Sequence, residues 1–183
     1  MANARFSIAP AYYTGSEVTP EVTVTHSGKT LVKDRDFTVT YHNNIEPGSY
    51  YNSPWVGIDG IGNYQGYVTK SFTINRADIS SCTVTLSDES LTYTGSSLRP
   101  TATVKSGDKE LTLNQDYYVS YRNNWDAGTA SAILTGTGNY TGSVTKDFTI
   151  KPLDINRYSA SLSQYSYTSD GTEKCPDVTV TYG

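Results

Sequence analysis

Long apolar runs are missing from this 183-residue chain. Nothing approaches the roughly 20 consecutive apolar residues that a membrane-spanning helix needs. No secretory signal pattern is visible at the start. Histidine is nearly absent, with His26 and His42 the only two. No Ser/His/Asp set and no nucleophile-elbow motif occurs, which leaves nucleophilic and acid–base catalysis without machinery. The chain reads as a non-enzyme with no cofactor. Positive charge is also in short supply: the net charge is −4 and the isoelectric point about 5.1, which argues against a nucleic-acid partner. Cysteine is scarce. Cys82 and Cys175 fall at different positions of the internal repeat described below, so no partner exists for a bridge within one copy. Two free thiols is the preferred reading, a bridge between copies the other, and neither fixes a compartment. Helical apolar periodicity is found nowhere.

What the chain has instead is threonine, serine, glycine and 16 tyrosines, against 36% hydrophobic and 17% charged residues. Threonine and tyrosine favour strands, glycine and asparagine favour turns. The chain also repeats itself. Tyr13-Thr14-Gly15-Ser16, Pro20, Asp36, Tyr41 and Asn43-Asn44 recur 80 residues later as Tyr93-Thr94-Gly95-Ser96, Pro100, Asp116, Tyr121 and Asn123-Asn124. Gly60-x-Gly62-Asn63-Tyr64-x-Gly66 and Lys70-x-Phe72-Thr73-Ile74 return 76 residues later as Gly136-x-Gly138-Asn139-Tyr140-x-Gly142 and Lys146-x-Phe148-Thr149-Ile150. A third copy begins with Tyr167-Thr168 and Pro176-x-Val178-Thr179-Val180. Repetition at this period means an array of small modules.

The boundaries follow: residues 1–79 form module one, 80–155 module two, and 156–183 the opening of a third. The Met-Ala-Asn start and the stop inside a copy read as a piece of a longer chain. Within copy two, Thr83–Leu86 alternates as a first strand and Pro100–Val104 as a second, with Ala102 and Val104 inward. Leu111–Leu113 reads as a third strand. Tyr117, Val119 and Tyr121 share one apolar face, as Phe37, Val39 and Tyr41 do in copy one, and period-2 alternation in both copies is strand evidence. Asn123 to Gly128 reads as a loop, and Ala130–Leu134 as the next strand. Val144, Phe148 and Ile150 point inward from the closing strand. Copy one has four extra residues around Tyr50–Trp55 and an irregular start near Phe6 and Ile8. Six or seven short strands per copy predict an all-β fold of sandwich modules. The passages 75–79 and 151–155 are short, so the modules should sit end to end with limited swivel.

The string Tyr-Thr-Gly, Pro-x-Val-Thr-Val, Asp-Tyr-x-Val-x-Tyr-x-Asn-Asn, Gly-x-Gly-Asn-Tyr-x-Gly and Lys-x-Phe-x-Ile resembles the tandem Ig-like, MBG-type repeats of Gram-positive cell-surface and secreted proteins. The resemblance runs through residues 12–79 and 92–155 and restarts near 165. It implies Ig-like sandwiches in series, located outside the cell and serving as stalks or as adhesin modules.

Candidate sites are few. The glycine-rich turns lead into strands rather than helices, so they read as turns and not as phosphate loops. Asp36, Asp116 and the Asn pairs could offer oxygens to calcium, but turn capping explains them more simply. Lys70 and Lys146 share the inward phase of Phe72 and Phe148. Surface proteins of this kind can crosslink lysine to asparagine beside a carboxylate. The candidate sets are Lys70 with Asn43 or Asn44 and Asp36, and Lys146 with Asn123 or Asn124 and Asp116. The plainer reading is a lysine with its stem packed and its ammonium in water. Tyr50, Tyr51, Trp55, Tyr118 and Trp125 fall on outward or loop positions and are candidate contacts for a host glycan or protein. Asn139-Tyr140-Thr141 matches a glycosylation acceptor by coincidence. The apolar positions of 156–183 have no partner sheet within their own copy and could pair with another chain by strand addition.

Overall fold

The structure is a computed structural model that describes residues 4–49 and 51–182. The first unit contains β1 (Ala4–Ile8), β2 (Ala11–Tyr12), β3 (Val22–His26), β4 (Lys29–Thr30), β5 (Phe37–His42), β6 (Trp55–Gly60), β7 (Tyr67–Ser71) and β8 (Ile74–Asn75). One antiparallel sheet has the order β1-β3-β4 and the other β5-β6-β7, while β2 runs parallel to β8. The longer strands turn an apolar face inward, so the sheets bury Val24, Leu31, Phe37, Val56 and Ile58 between them.

A two-residue strand, β9 (Ala77–Asp78), leads into the second unit. There β10 (Thr83–Leu86), β11 (Ser90–Thr92), β12 (Ala102–Ser106), β13 (Lys109–Glu110), β14 (Tyr117–Arg122), β15 (Gly128–Gly136), β16 (Tyr140–Thr141) and β17 (Ser143–Lys151) follow in the same succession. The sheets are β10-β12-β13 and β11-β17-β15-β14, and they enclose Ala102, Val104, Ala130, Leu134, Phe148 and Ile150. A last antiparallel pair joins β18 (Tyr158–Leu162) to β19 (Val178–Tyr182). No α-helix occurs among the described residues; Ile79–Ser81 and Ile155–Arg157 are single 3₁₀ turns. The expected all-β sandwich architecture is what is found.

Three local expectations need correction. Leu111–Leu113 is not a strand. The Asp116 carboxylate accepts the Thr112 N–H at 2.8 Å and Asn114 turns left-handed at φ 66°, so the chain reverses too tightly for one. The start of copy one is regular: β1 pairs with β3 over five residues, Phe6 opposite Val24. The stretch from Ile8 to Ala11 is two residues shorter than that from its counterpart Leu86 to Leu91, which breaks the offset of 80. Gly128 belongs to β15 rather than to a loop, pairing with Ile150. In the first unit the four extra residues displace that stretch. The Phe72 N–H still donates to the Pro54 carbonyl at 3.0 Å, at the place of the Ala130–Phe148 pair. Proline has no N–H to return, and β7 and β8 are separate where β17 is continuous. Within the short passage 75–79, β9 pairs with the second unit.

Candidate functional site

The recurring Asp and Asn residues hold loops in place. Asp36 and Asp116 are buried, and each accepts the N–H four residues back, from Val32 and Thr112. Arg35 also donates to Asp36, and with the Val32 N–H it keeps that carboxyl below the ordinary aspartate range. Asn43 and Asn123 adopt left-handed backbone at φ 54° and 53°, which asparagine tolerates. Asn44 and Asn124 are buried behind them, donating their amides to the Val18 and Leu98 carbonyls at 3.1 and 2.9 Å. The lysines of the candidate crosslinks engage other groups. Lys70 lies over the Phe6 ring at 5.3 Å, and Lys146 reaches Glu89 at 3.6 Å. Cys82 is partly buried, Cys175 exposed, and both are free; burial raises the Cys82 thiol pKa.

The candidate aromatics do not gather in one place. Tyr50 lies outside the described residues. Tyr51, Tyr118 and Trp125 are exposed. Tyr118 and Arg122 are separated by four strand residues, about 13 Å, with Trp125 beyond. Trp55 has closer company that the sequence reading missed. It stacks on His42 with ring centroids 3.8 Å apart and planes 11° apart. The strand register puts Thr38, Thr40 and His42 beside Asp59, Gly57 and Trp55, and these beside Tyr67, Thr69 and Ser71. Tyr67 lies across Gly57, where an added Cβ would meet its hydroxyl at 2.4 Å. The outer face of this sheet thus presents Trp55, His42 and Tyr67. Its counterpart in the second unit carries Ser131, Arg122 and Ser143. Of the three, only Trp55 is a candidate from the sequence; only the register could bring His42 and Tyr67 beside it.

The most developed contact lies between the units. β9 runs parallel to β16, Ala77 opposite Tyr140 and Asp78 opposite Thr141, and the Ala77 N–H donates to the Asn139 carbonyl at 3.0 Å. Tyr140 is fully buried and meets Tyr13 edge-on, centroids 5.6 Å apart. Burial pushes the Tyr140 hydroxyl pKa up. The Lys109 ammonium donates to the Tyr13 hydroxyl at 3.2 Å and lies over its ring, and that hydrogen bond raises the lysine pKa. The Asn139 amide donates to Glu46. Gly142 turns at φ 76°, and a Cβ there would stand 2.5 Å from the Asp78 carboxylate. Ala11, Tyr13 and Ile74 of the first unit belong to the same buried cluster as Ile79, Val104 and Tyr140. The two units therefore share a core. The sequence signal was present, since Tyr-Thr-Gly and Gly-Asn-Tyr recur, but both read there as turns. Compared with protein-family models, curated proteins and solved structures, the chain matches none.

Proposed function

We propose that this chain is a non-enzymatic spacer segment of a bacterial cell-surface protein, made of Ig-like modules in series that hold a distal domain away from the wall. The observation that supports this reading is the shared core at the junction. Tyr13, Tyr140, Ile74 and Ile79 lie in one buried cluster, and a parallel bridge joins β9 to β16. A contact of that kind resists bending, because swivelling the units exposes apolar surface at roughly 25 cal/mol per Å². Each sandwich must also lose its core cooperatively before it lengthens. Pulling single molecules from their ends tests this. Two separate unfolding events are expected, each releasing roughly 25 nm of chain. Smooth extension at low force, with no discrete events, is the result that sinks the spacer reading.

The Trp55, His42 and Tyr67 face supports a second reading, an adhesin module that contacts host glycan or protein. Sugars stack on such rings, and the second unit has Ser131, Arg122 and Ser143 at the three corresponding positions. A glycan and matrix-protein array decides it: binding that disappears in Trp55→Ala or Trp125→Ala favours the adhesin. An array with working controls and no hit leaves the spacer.

A further inference from the structure

The end of the second unit carries the same junction surface as the end of the first, left open. Tyr13, Ala77 and Ile79 at the first junction correspond to Tyr93, Leu153 and Ile155. Asp154 caps its 3₁₀ turn by accepting the Asn156 N–H, as Asp78 does with Ser80. At the first junction Tyr140 fills the space between these groups, and Ile79 is 0% exposed. At the second, a cavity of about 440 Å³ lies among Tyr93, Leu153, Ile155, Tyr158 and Val180, and Ile155 is 71% exposed.

The β18–β19 pair continues the pattern. It stands 76 residues after β10 and β12 and keeps their register, with Leu162 opposite Val178 as Leu86 is opposite Ala102. Val104 is 0% exposed and its counterpart Val180 49%; Leu86 is 5% exposed and Leu162 37%. In the second unit β14, β15 and β17 cover this face. Gln164–Ser166, just before the Tyr167-Thr168 that matches Tyr93-Thr94, corresponds to β11 yet forms no strand. β11 pairs only with β17 in its sheet, and among the described residues 164–166 have no such neighbour.

We infer that the β18–β19 face and the cavity beneath it form a docking surface for a half-unit of this chain's own type: three strands like β14, β15 and β17, with a Gly-x-Gly-Asn-Tyr-x-Gly turn. The turn tyrosine enters the cavity against Tyr93 and Ile155, and the turn backbone pairs in parallel with Leu153 and Asp154. The last glycine of the turn clears Asp154 as Gly142 clears Asp78. The established junction between the first two units is the argument for this occupant, since the open surface continues it position for position. A second copy docking as a folded body does not fit equally well, because its first sheet would need the place that β18–β19 already holds. The inference rests on this correspondence and stands whether the chain acts as a spacer or as an adhesin.

The test is to append a copy of residues 108–155 after Gly183, which aligns with Gly107, and to follow amide exchange along the whole chain. Exchange in 178–182 should slow by about a hundredfold or more, and 164–166 should become protected. A second variant with the appended turn tyrosine changed to Ala should keep β19 protected while returning Leu153 to fast exchange. The inference is overturned if the appended residues exchange as an open chain while the first two units stay protected. It is equally overturned if the original chain self-associates as its concentration rises and protects β19 without the extension, which makes a second copy the occupant.

Discussion

The ring of Tyr13 meets the ring of Tyr140 at 89°, 5.6 Å between centroids, although the two residues belong to different sandwiches. Tyr140 is the larger contributor, because its side chain lies in the second unit's core and at the junction together. Tyr140→Ala should destabilise the second unit by about 3–5 kcal/mol, as deletion of a buried aromatic does, and should uncouple it from the first. Denaturant unfolding followed at Trp125 reads the first effect. Loss of less than about 1 kcal/mol contradicts the assignment.

Gly142 separates coupling from stability. An alanine there faces a positive φ and a Cβ position 2.5 Å from the Asp78 carboxylate, so the turn must withdraw from β9. The strain is local, and the second unit should lose about 1–2 kcal/mol while the β9–β16 bridge opens. Amide exchange of Ala77 reports it, rising in Gly142→Ala with Leu134 still protected. An unchanged Ala77 places the coupling elsewhere.

The loop anchors should behave alike in both units. Asn124→Ala removes the donor to the part-buried Leu98 carbonyl and should cost about 1–3 kcal/mol. Asn44→Ala should do the same to the first unit through Val18. Tyr121→Phe, which removes only the hydrogen bond to the Pro100 carbonyl at 2.6 Å, should cost about 1 kcal/mol. Equal effects from Asn124→Ala and from an exposed control such as Gln115→Ala would speak against an anchoring role.

Acid should weaken the first unit through Asp36. Arg35 and the Val32 N–H favour the carboxylate in the folded state, so the folded pKa lies below the unfolded one. The stabilisation is full above the unfolded value of about 3.9 and disappears as pH falls through the folded value. In a Trp125→Phe background, Trp55 fluorescence follows the first unit alone. Asp36→Asn should lower its denaturant midpoint at pH 7, and the gap should close toward pH 2. A gap that is constant with pH means the charge is not the source.

Much of this architecture was legible as period-2 alternation. Tyr117, Val119 and Tyr121 turn one way and Tyr118 and Ser120 the other, as the pattern required. Turn chemistry was legible at Asn43 and Asn123, where asparagine takes left-handed backbone. Two kinds of feature were not. Contacts that depend on register, such as His42 on Trp55, need the pairing of two strands and cannot be read along one. Contacts between units, such as Tyr13 with Tyr140, join residues 127 positions apart that local chemistry describes equally well as turn residues. The Leu111–Leu113 expectation failed for a third reason: an apolar alternation of three residues is too short to outweigh the Asp116 cap.

The central claim is that the two units move as one body through the β9–β16 junction. Residual dipolar couplings measured separately for the backbone amides of β3, β5 and β6 and of β12, β14 and β15 test it directly. The account predicts one alignment tensor, of the same magnitude and orientation for both sets. Two tensors that differ, with a smaller magnitude for one unit, mean that the units swivel freely, which contradicts it.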